Sequence, residues 1–399
     1  MPALSNLSSR RNKLRTRADL RPRPWPVLGR AAAVLLAALG VDGPCFGQAG
    51  WKTAYFHDED RSRLALIDFV FPSAQSGIAI GVLQGPRGDG GAILRTGDGG
   101  KSWKLEKIRG APRSLFFLDE RTGWMVKDDG LWKTEDGGAA FRRVLKHDGL
   151  LRLHFADAAR GWAAGAKKAV LETSDGGRNW VALPAAAEPS AEPDRCFYNW
   201  VTFANPRFGI IVGHYVPSGG DEDERLPEWM DPPAWQFERQ RPAAMFTLQT
   251  LDGGKTWKSS TTSAFGRMTR LRLLPDGVGL SLIEFTRQFE YPSEVYRVRL
   301  AKGETTRVFR QANRKVTDVW VDKAGTAFLA AVEPQGTTRT LPVPGRLHVL
   351  RSVDLSSWED MQVDYRAVAQ RAVFAGRPGG ELWLATSEGM LLRLPPGVP

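Results

Sequence analysis

A motif of Thr-x-Asp-Gly-Gly-x-x followed by an aromatic residue recurs four times in this 399-residue chain and constrains its fold more than any other feature. Each copy lies between two short apolar runs, which is typical of a hairpin joining two β-strands. The aspartate can accept backbone N–H groups, the glycines allow positive φ, and the aromatic residue returns to pack on the sheet. We call these segments Asp-turns; they run from Asp98 to Trp103, Asp136 to Phe141, Asp175 to Trp180 and Asp252 to Trp257, with a degenerate fifth copy from Asp354 to Trp358.

The spacing of the Asp-turns indicates the size of the repeating unit. Asp98 and Asp136 are 38 residues apart, and Asp136 and Asp175 are 39 residues apart, which is the length of one four-stranded propeller blade. The 77 residues between Asp175 and Asp252 contain only one further strand pair. We therefore assign that interval to a single blade with an insertion at about residues 217–242.

A second repeat consists of an apolar strand, a short turn with a glycine and another apolar strand. Seven copies are visible, and the last lacks its outermost strand, which residues 51–56 are suited to supply because they resemble the segment after an Asp-turn. Closing the ring in this way removes exposed sheet edges. The sequence thus predicts an all-β, seven-bladed β-propeller over residues 50–399, closed by an N-terminal strand. The copies lie at 69–77, 115–123, 153–161, 201–209, 271–279, 319–325 and 372–380.

Residues 1–49 have the composition of a secretory signal peptide. Eight basic residues precede a short apolar run at 31–39, which is shorter than a membrane-spanning helix requires. We expect cleavage near residue 50, no stable membrane span afterwards, and a periplasmic or secreted protein; an uncleaved anchor and twin-arginine export are the alternatives. Removing the segment lowers the net charge from +11 to +5, which gives no reason to expect nucleic-acid binding. Cys196 would then be a lone buried residue or a reactive thiol.

The residues of the Asp-turns resemble the Asp-box, or BNR, repeat. The pairs Gly123-Trp124 and Gly161-Trp162 resemble the corresponding strands of photosystem II stability/assembly factor-like propellers. The resemblance covers residues 92–257 well and 51–399 loosely. It implies an exported, non-enzymatic scaffold that binds a protein partner, in which the aspartates are turn elements. Asp-boxes also occur in sialidases, xyloglucanases and sortilin-type receptors, so they specify a fold more strongly than a function.

The alternative function is a glycoside hydrolase or a carbohydrate-binding propeller. A sialidase would need an arginine cluster, a Tyr/Glu nucleophile pair and an acid/base carboxyl group. Members of the sialidase family also typically carry an Arg-Ile-Pro element early in the chain, and this chain lacks one. The tyrosines Tyr215, Tyr291 and Tyr296 lie in no recognisable catalytic context. We therefore predict no catalytic residues, no cofactor and no metal, since the five histidines show no ligand spacing.

The predicted binding surface is the face opposite the Asp-turns. In a four-stranded blade the second turn leaves by that face, and long second turns occur near residues 84–91, 217–242, 287–293 and 334–346. The insertion at 217–242 combines an acidic run with aromatic residues that can anchor a protein or a glycan. A solvated loop docked on the propeller and a calcium site are the alternatives. The candidate binding residues are Asp221, Glu222, Asp223, Trp229, Trp235 and Phe237.

Overall fold

A computed structural model describes most of the chain beyond residue 49, and its residues form seven antiparallel sheets of four or five strands in a β-propeller arrangement, together with one separate two-stranded hairpin. These described residues contain three short 3₁₀ turns and no α-helix, at Pro184–Ala186, Pro193–Arg195 and Leu300–Lys302. None of the helices that the described part of the chain contains is long and apolar enough to cross a membrane. The described residues are 50–59, 61–86, 88–215, 242–285, 290–334, 337–338, 341–364 and 366–395.

The first four blades follow one another along the chain after an initial strand, β1 (Lys52–Phe56). Blade I consists of β2 (Arg63–Val70), β3 (Gly77–Gln84), β4 (Gly90–Thr96) and β5 (Lys104–Ile108). Blade II consists of β6 (Pro112–Phe117), β7 (Gly123–Lys127), β8 (Gly130–Thr134) and β9 (Arg142–Lys146). Blade III consists of β10 (Leu150–Phe155), β11 (Gly161–Gly165), β12 (Val170–Thr173) and β13 (Val181–Ala182). Blade IV consists of β14 (Cys196–Phe203), β15 (Gly209–Tyr215), β16 (Ala243–Thr250) and β17 (Lys258–Ala264).

The last three blades include one sheet with additional short strands. Blade V consists of β18 (Arg267–Leu273), β19 (Val278–Glu284), β20 (Ser293–Arg299) and β21 (Glu304–Arg310). Blade VI begins with β22 (Lys315–Val321) and β23 (Ala327–Val332), which are followed in the chain by a separate two-stranded hairpin, β24 (Thr337–Thr338) and β25 (Leu341–Pro342). The blade is completed by β26 (Gly345–Ser352), β27 (Glu359–Met361) and β28 (Val368–Ala369). Blade VII consists of β29 (Ala372–Gly376), β30 (Leu382–Thr386) and β31 (Met390–Leu394), with β1 as its fourth strand.

Strand β1 pairs antiparallel with β31, from Lys52 opposite Arg393 to Phe56 opposite Met390. The preceding residue, Trp51, is buried against Phe374, with ring centroids 6.1 Å apart. Its backbone N–H donates to the carbonyl of Gln362 in blade VI at 3.0 Å. The outer strand of the last blade is therefore contributed by the first described segment of the chain.

The alternation of strand directions gives the propeller two distinct faces. The first and third turns of every blade lie on one face, which we call the Asp-turn face because the third turns include the Asp-turns. The second turns and the connections between blades lie on the other, which we call the connector face. The gap between β15 and β16, which contains the insertion, opens on the connector face.

Apolar side chains pack between neighbouring blades, and aromatic residues of the second strands extend this packing onto the next Asp-turn. Trp162 of blade III, for example, lies against Gly254 in the Asp-turn of blade IV. In blades VI and VII the glycines of the second repeat, Gly325 and Gly380, lie within turns, and the strands begin two residues later at Ala327 and Leu382. In these two blades the strand pair of the second repeat therefore forms, but its second strand does not begin at a glycine.

Candidate functional site

The Asp-turns use their carboxylates to organise their own backbone. Asp98 accepts hydrogen bonds from the N–H groups of Lys101 and Ser102, both at 2.9 Å, and from the Ser102 hydroxyl at 2.6 Å. Thr96 Oγ1 donates to Asp98 at 2.8 Å and accepts the N–H of Gly100 at 2.9 Å. These hydrogen bonds, above all those from Ser102, hold the pKa of Asp98 well below its usual range. Threonine-to-aspartate bonds of 2.7 to 2.9 Å recur at Asp136, Asp175 and Asp252, and Ser352 takes the place of the threonine at Asp354.

The aromatic residue that closes each Asp-turn packs into the space between blades. Trp257 meets Trp162 edge-on at 5.8 Å between centroids, and Trp358 meets Phe309 at 5.6 Å. Trp103, Phe141 and Trp180 pack in the same way against the hydrophobic clusters of their blades. The carboxylates of the Asp-turns thus bind their own turn, and the aromatic side chains pack in the core.

The predicted binding residues of the insertion all lie outside the described residues. Asp221, Glu222, Asp223, Trp229, Trp235 and Phe237 fall within 216–241, so their role stays a prediction. The strands that flank the insertion end at Tyr215 and begin at Ala243. The insertion therefore leaves and re-enters the propeller on the connector face.

The inner strands share a local irregularity that was not foreseen. Six of the seven shift register at the same point, where one extra residue forms a β-bulge. The residue after each bulge occupies an equivalent position in its blade, beside the central channel. These residues are Asp68, Ser114, Arg152, Trp200, Arg270 and Asp318.

Four of these equivalent positions form two ion pairs on either side of an indole. Arg152 contacts Asp68 at 2.9 Å, and Arg270 contacts Asp318 at 3.2 Å. The guanidinium carbons of the two arginines lie 4.7 Å and 5.5 Å from the ring centre of Trp200, which is within the range of a cation–π interaction. Charges from four different blades therefore meet around one aromatic side chain.

The two aspartates also join the inner edges of neighbouring blades. Asp68 accepts the N–H of Leu115 in blade II at 3.0 Å, and Asp318 accepts the N–H of Phe374 in blade VII at 2.7 Å. Each aspartate also accepts the N–H of the residue that follows it. These bonds satisfy backbone groups that the sheets leave unpaired at the channel.

A third carboxylate lies closer to the connector face. Glu284, the last residue of β19, accepts two hydrogen bonds from Arg371 at 2.6 Å and 3.2 Å, and one from Thr269 at 2.7 Å. Lys315 lies 3.5 Å from the same carboxylate. Together these groups form what we call the channel cluster: Asp68, Arg152, Trp200, Arg270, Glu284, Asp318 and Arg371.

Burial controls the electrostatics of the channel cluster. Burial lowers the pKa of Arg270 to about 10; the charge of Asp318 opposes this shift, and those of Arg152 and Arg371 add to it. Burial raises the pKa of Glu284, but the cations of Arg371 and Lys315 outweigh that effect and leave the pKa below its usual value. The side chain of Arg371 is 41% exposed, whereas that of Asp318 is 1% exposed. Arg371 is thus the member of the cluster most open to a ligand.

The alignment of the second repeat contains a sequence signal for this cluster. Asp68, Arg152, Trp200 and Arg270 each lie nine residues before the glycine of the second repeat in their own blade. Aligning the repeats on that glycine places all four in one column. Polar residues at a fixed position in otherwise apolar inner strands indicate a shared environment.

The remaining candidates behave as packing residues. Within the described ranges, no group of three or more His, Cys, Asp or Glu residues could hold a metal ion. Cys196 is buried with a free thiol, and burial raises its pKa. His154 lies between the rings of Phe116 and Phe203, with centroids 4.8 Å and 5.6 Å away. His348, in contrast, lies 2.7 Å from Asp360 and 3.0 Å from Glu333, a polar contact that the sequence did not predict.

Comparison with known proteins supports the architecture. No protein-family model and no curated protein sequence matches the chain. Among solved structures, YCF48 from Cyanidioschyzon merolae is 16% identical with a TM-score of 0.56, covering 87% of this chain and 99% of that chain. YCF48 bound to a D1 peptide is 15% identical with a TM-score of 0.52 (85% and 98% covered), and the WD40 propeller of Doa1 is 10% identical with a TM-score of 0.52 (87% and 97% covered). At these identities the likeness concerns the fold: the chain is a seven-bladed β-propeller that resembles YCF48.

Proposed function

We propose that this protein is an exported, non-enzymatic β-propeller that binds a protein partner on its connector face, as an assembly-factor-like scaffold. The observation that carries the proposal is the channel cluster, in which the largely buried Arg152 and Arg270 accompany the partly exposed Arg371. A similar propeller, YCF48, has been solved with a bound D1 peptide. That structure supports a peptide segment as the class of ligand, without identifying the partner of this chain.

The chemistry of the cluster suits recognition of an acidic or hydrogen-bond-accepting segment. Arginine offers five N–H donors in a rigid planar fork and remains charged when it is partly desolvated. Arg371 already uses two of its donors on Glu284, and that contact fixes the direction of its guanidinium group. A positioned donor loses less conformational entropy on binding than a mobile one.

The same geometry argues against glycoside hydrolysis at the channel. A glycosidase needs a carboxylic acid that keeps its proton until it is transferred to the leaving group. The pKa of Glu284 lies below its usual value because of Arg371 and Lys315, and Asp68 and Asp318 are held by arginines and backbone N–H groups. Such carboxylates are suited to orienting cations.

Export is part of the proposal and rests on residues 1–49. Their eight basic residues followed by the apolar run at 31–39 are typical of a cleaved signal. Determining the N-terminal residue of the protein from its native cells would test this point. A mature N-terminus near residue 50 supports export, whereas an intact residue 1 in the cytoplasmic fraction contradicts it.

The binding proposal can be tested by quantitative co-purification from native cells. Three tagged forms would be compared: the wild type, Arg371→Ala on the connector face, and Arg178→Ala, an exposed arginine in the Asp-turn of blade III. Circular dichroism would establish that all three fold. We expect partners enriched with the wild type to be retained by Arg178→Ala and to fall at least fivefold with Arg371→Ala.

Two results would overturn this assignment. Equal recovery of partners by all three proteins would show that Arg371, at the end of the channel on the connector face, does not contribute to binding. Turnover of a sialoside or a β-glucan by the purified protein, abolished by Glu284→Gln, would show that the site performs chemistry.

A further inference from the structure

One position on the third strand is equivalent in every blade. It pairs with the second-strand residue that comes directly after the glycine of the second repeat, or after the residue that replaces this glycine. Ile78 faces Arg95 in blade I, and Leu280 faces Arg297 in blade V. Because these positions share one register, their side chains extend toward the next blade in the same way. We call them the rim set: Arg95, Lys133, Glu172, Gln249, Arg297, Arg351 and Arg393.

Arg297 differs from the other cations of the rim set. Arg95 donates to the carbonyl of Gly138 at 2.8 Å and forms an ion pair with Glu106. Lys133, Arg351 and Arg393 each have a carboxylate partner, at 2.8 Å, 3.9 Å and 3.7 Å respectively. Among the described residues Arg297 has no ion pair, and its buried Nε has no hydrogen-bond partner.

The Asp-turn beyond Arg297 explains the difference. Arg95 is satisfied by Gly138, the second glycine of the Asp-turn in blade II. The corresponding turn of blade VI is one residue shorter, since Leu355 alone stands between Asp354 and the Ser-Ser pair that precedes Trp358. Leu355 adopts a φ of 62°, so the shortened turn keeps a left-handed residue in place of the two glycines. A groove of about 450 Å³ lies between this turn and β20–β21 of blade V.

The charges that line the groove are unequally neutralised. Arg299 is paired with Glu304 at 3.0 Å, whereas Asp354 accepts the N–H groups of Ser356 and Ser357 and keeps its negative charge on the lining. Arg307 contacts the carboxylate of Glu294 through one Nη at 3.3 Å, and the side chain of Arg307 is 48% exposed. Beyond the pair of Arg299 and Glu304, the lining carries two cations, Arg297 and the partly engaged Arg307, against one carboxylate, Asp354, and Thr306 also lines the groove.

We propose that this groove binds an oxyanion of the phosphate or sulfate class, with Arg297 as its principal ligand. A guanidinium group forms two parallel hydrogen bonds to such an anion, and among the described residues no carboxylate occupies the guanidinium group of Arg297 on the groove lining. The cavity exceeds the volume of a tetrahedral anion, so a small organic phosphate also fits. This site lies beside an Asp-turn, away from the connector face, and does not depend on the proposed function.

The experiment measures anion binding to the full-length protein by isothermal titration calorimetry and by thermal shift. The probes are inorganic phosphate, sulfate and glycerol 3-phosphate, with chloride at matched ionic strength to account for screening. The variants are Arg297→Gln, the matched control Arg351→Gln at the same register position of blade VI, and Thr306→Val. Near-ultraviolet circular dichroism would establish that each variant folds.

We expect saturable binding of phosphate by the wild type and by Arg351→Gln, and at least a tenfold loss of affinity with Arg297→Gln. Thr306→Val should give a smaller loss, and it keeps the proposal testable if Arg297→Gln does not fold. Tighter binding of glycerol 3-phosphate than of inorganic phosphate would identify an ester as the ligand class. The proposal is overturned if the wild type shows no saturable binding beyond chloride, or if Arg297→Gln binds as tightly as Arg351→Gln.

Discussion

The indole of Trp162 in blade III occupies the space that a side chain on Gly254 in blade IV would need. A Cβ placed on Gly254 would lie 2.3 Å from Cζ2 of Trp162. The same contact recurs between blades VII and I, where a Cβ on Gly100 would lie 2.3 Å from Trp383. In these two Asp-turns the second glycine is therefore required by the neighbouring blade as well as by its own positive φ.

Gly254→Ala should destabilise the protein by about 3 kcal/mol, because the left-handed conformation and the collision with Trp162 both oppose the new methyl group. Gly303→Ala is the matched control, since Gly303 also has a positive φ of 64° but nothing lies near its Cβ position. That control should cost only about 1 kcal/mol. Urea denaturation measures both. Equal losses would show that the contact with Trp162 is unimportant.

Asp136→Ala should lower the free energy of unfolding by about 1 to 2 kcal/mol, because the N–H of Ala140 and the hydroxyl of Thr134 lose their acceptor. Asp148→Ala, at an exposed aspartate, should change stability little. Partner binding by the folded Asp136→Ala protein should match that of the wild type. If binding is lost while stability is kept, the Asp-turn belongs to the binding site.

His154 should make stability depend on pH between about 6.5 and 4. Burial lowers its pKa to about 4, so the folded protein keeps the ring neutral while the unfolded chain protonates it at its usual pKa of about 6.5. Stability should therefore fall as the pH drops below about 6.5, by at most about 1.4 kcal/mol per pH unit from this residue.

His154→Phe should reduce that pH dependence, because phenylalanine retains the packing between Phe116 and Phe203 and cannot bind a proton. Thermal melts of both proteins from pH 7 to pH 5 give the comparison. His214, whose pKa burial also lowers to about 4, should preserve part of the slope. Parallel curves for the two proteins would contradict the role assigned to His154.

Deleting residues 50–57 should sharply lower the melting temperature. The deletion removes β1 and the buried Trp51, and it leaves the edge of β31 unpaired. Lys52→Ala, which changes an exposed side chain and keeps the strand, serves as the control. An unchanged melting temperature after the deletion would mean that β1 contributes little to the ring.

Replacing residues 218–241 with a short Gly-Ser turn should preserve folding and abolish partner capture. The replacement removes Trp229, Trp235 and the acidic run between strands that end at Tyr215 and begin at Ala243. The partners recovered with the wild type provide the measurement. Undiminished capture would show that the insertion is not needed for binding and would leave the channel cluster as the binding surface.

Local chemistry made most of the fold predictable from the sequence. The hydrogen bonds of an Asp-turn connect residues within four positions of each other, and the spacing of Asp98, Asp136 and Asp175 directly reflects blade length. The seven blades and their all-β character could be inferred for that reason. The strand starts at Ala327 and Leu382 were less clear, because no glycine marks them.

The channel cluster was not predicted, because its contacts join residues that are distant in sequence. Asp68 and Arg152 come from blades I and III, and Glu284 and Arg371 come from blades V and VII. No spacing rule for a single strand reveals such pairs. The sequence likewise did not predict that Arg297 has no ion pair, because this depends on the length of a turn in the following blade.

The pairing of Lys52 with Arg393 has a consequence for the order of events during folding. Residues 52–56 are synthesised long before residues 390–394, so blade VII cannot form until almost the whole described chain has been made. Contacts between such distant segments slow folding, because the chain must lose loop-closure entropy before they stabilise it. Until then the first strand lacks its partner, the edge of β31 is unpaired, and Trp51 is missing from the cluster that contains Leu392 and Leu394. The final step of folding should therefore be a slow docking of β1, visible as a late kinetic phase that the deletion of residues 50–57 removes.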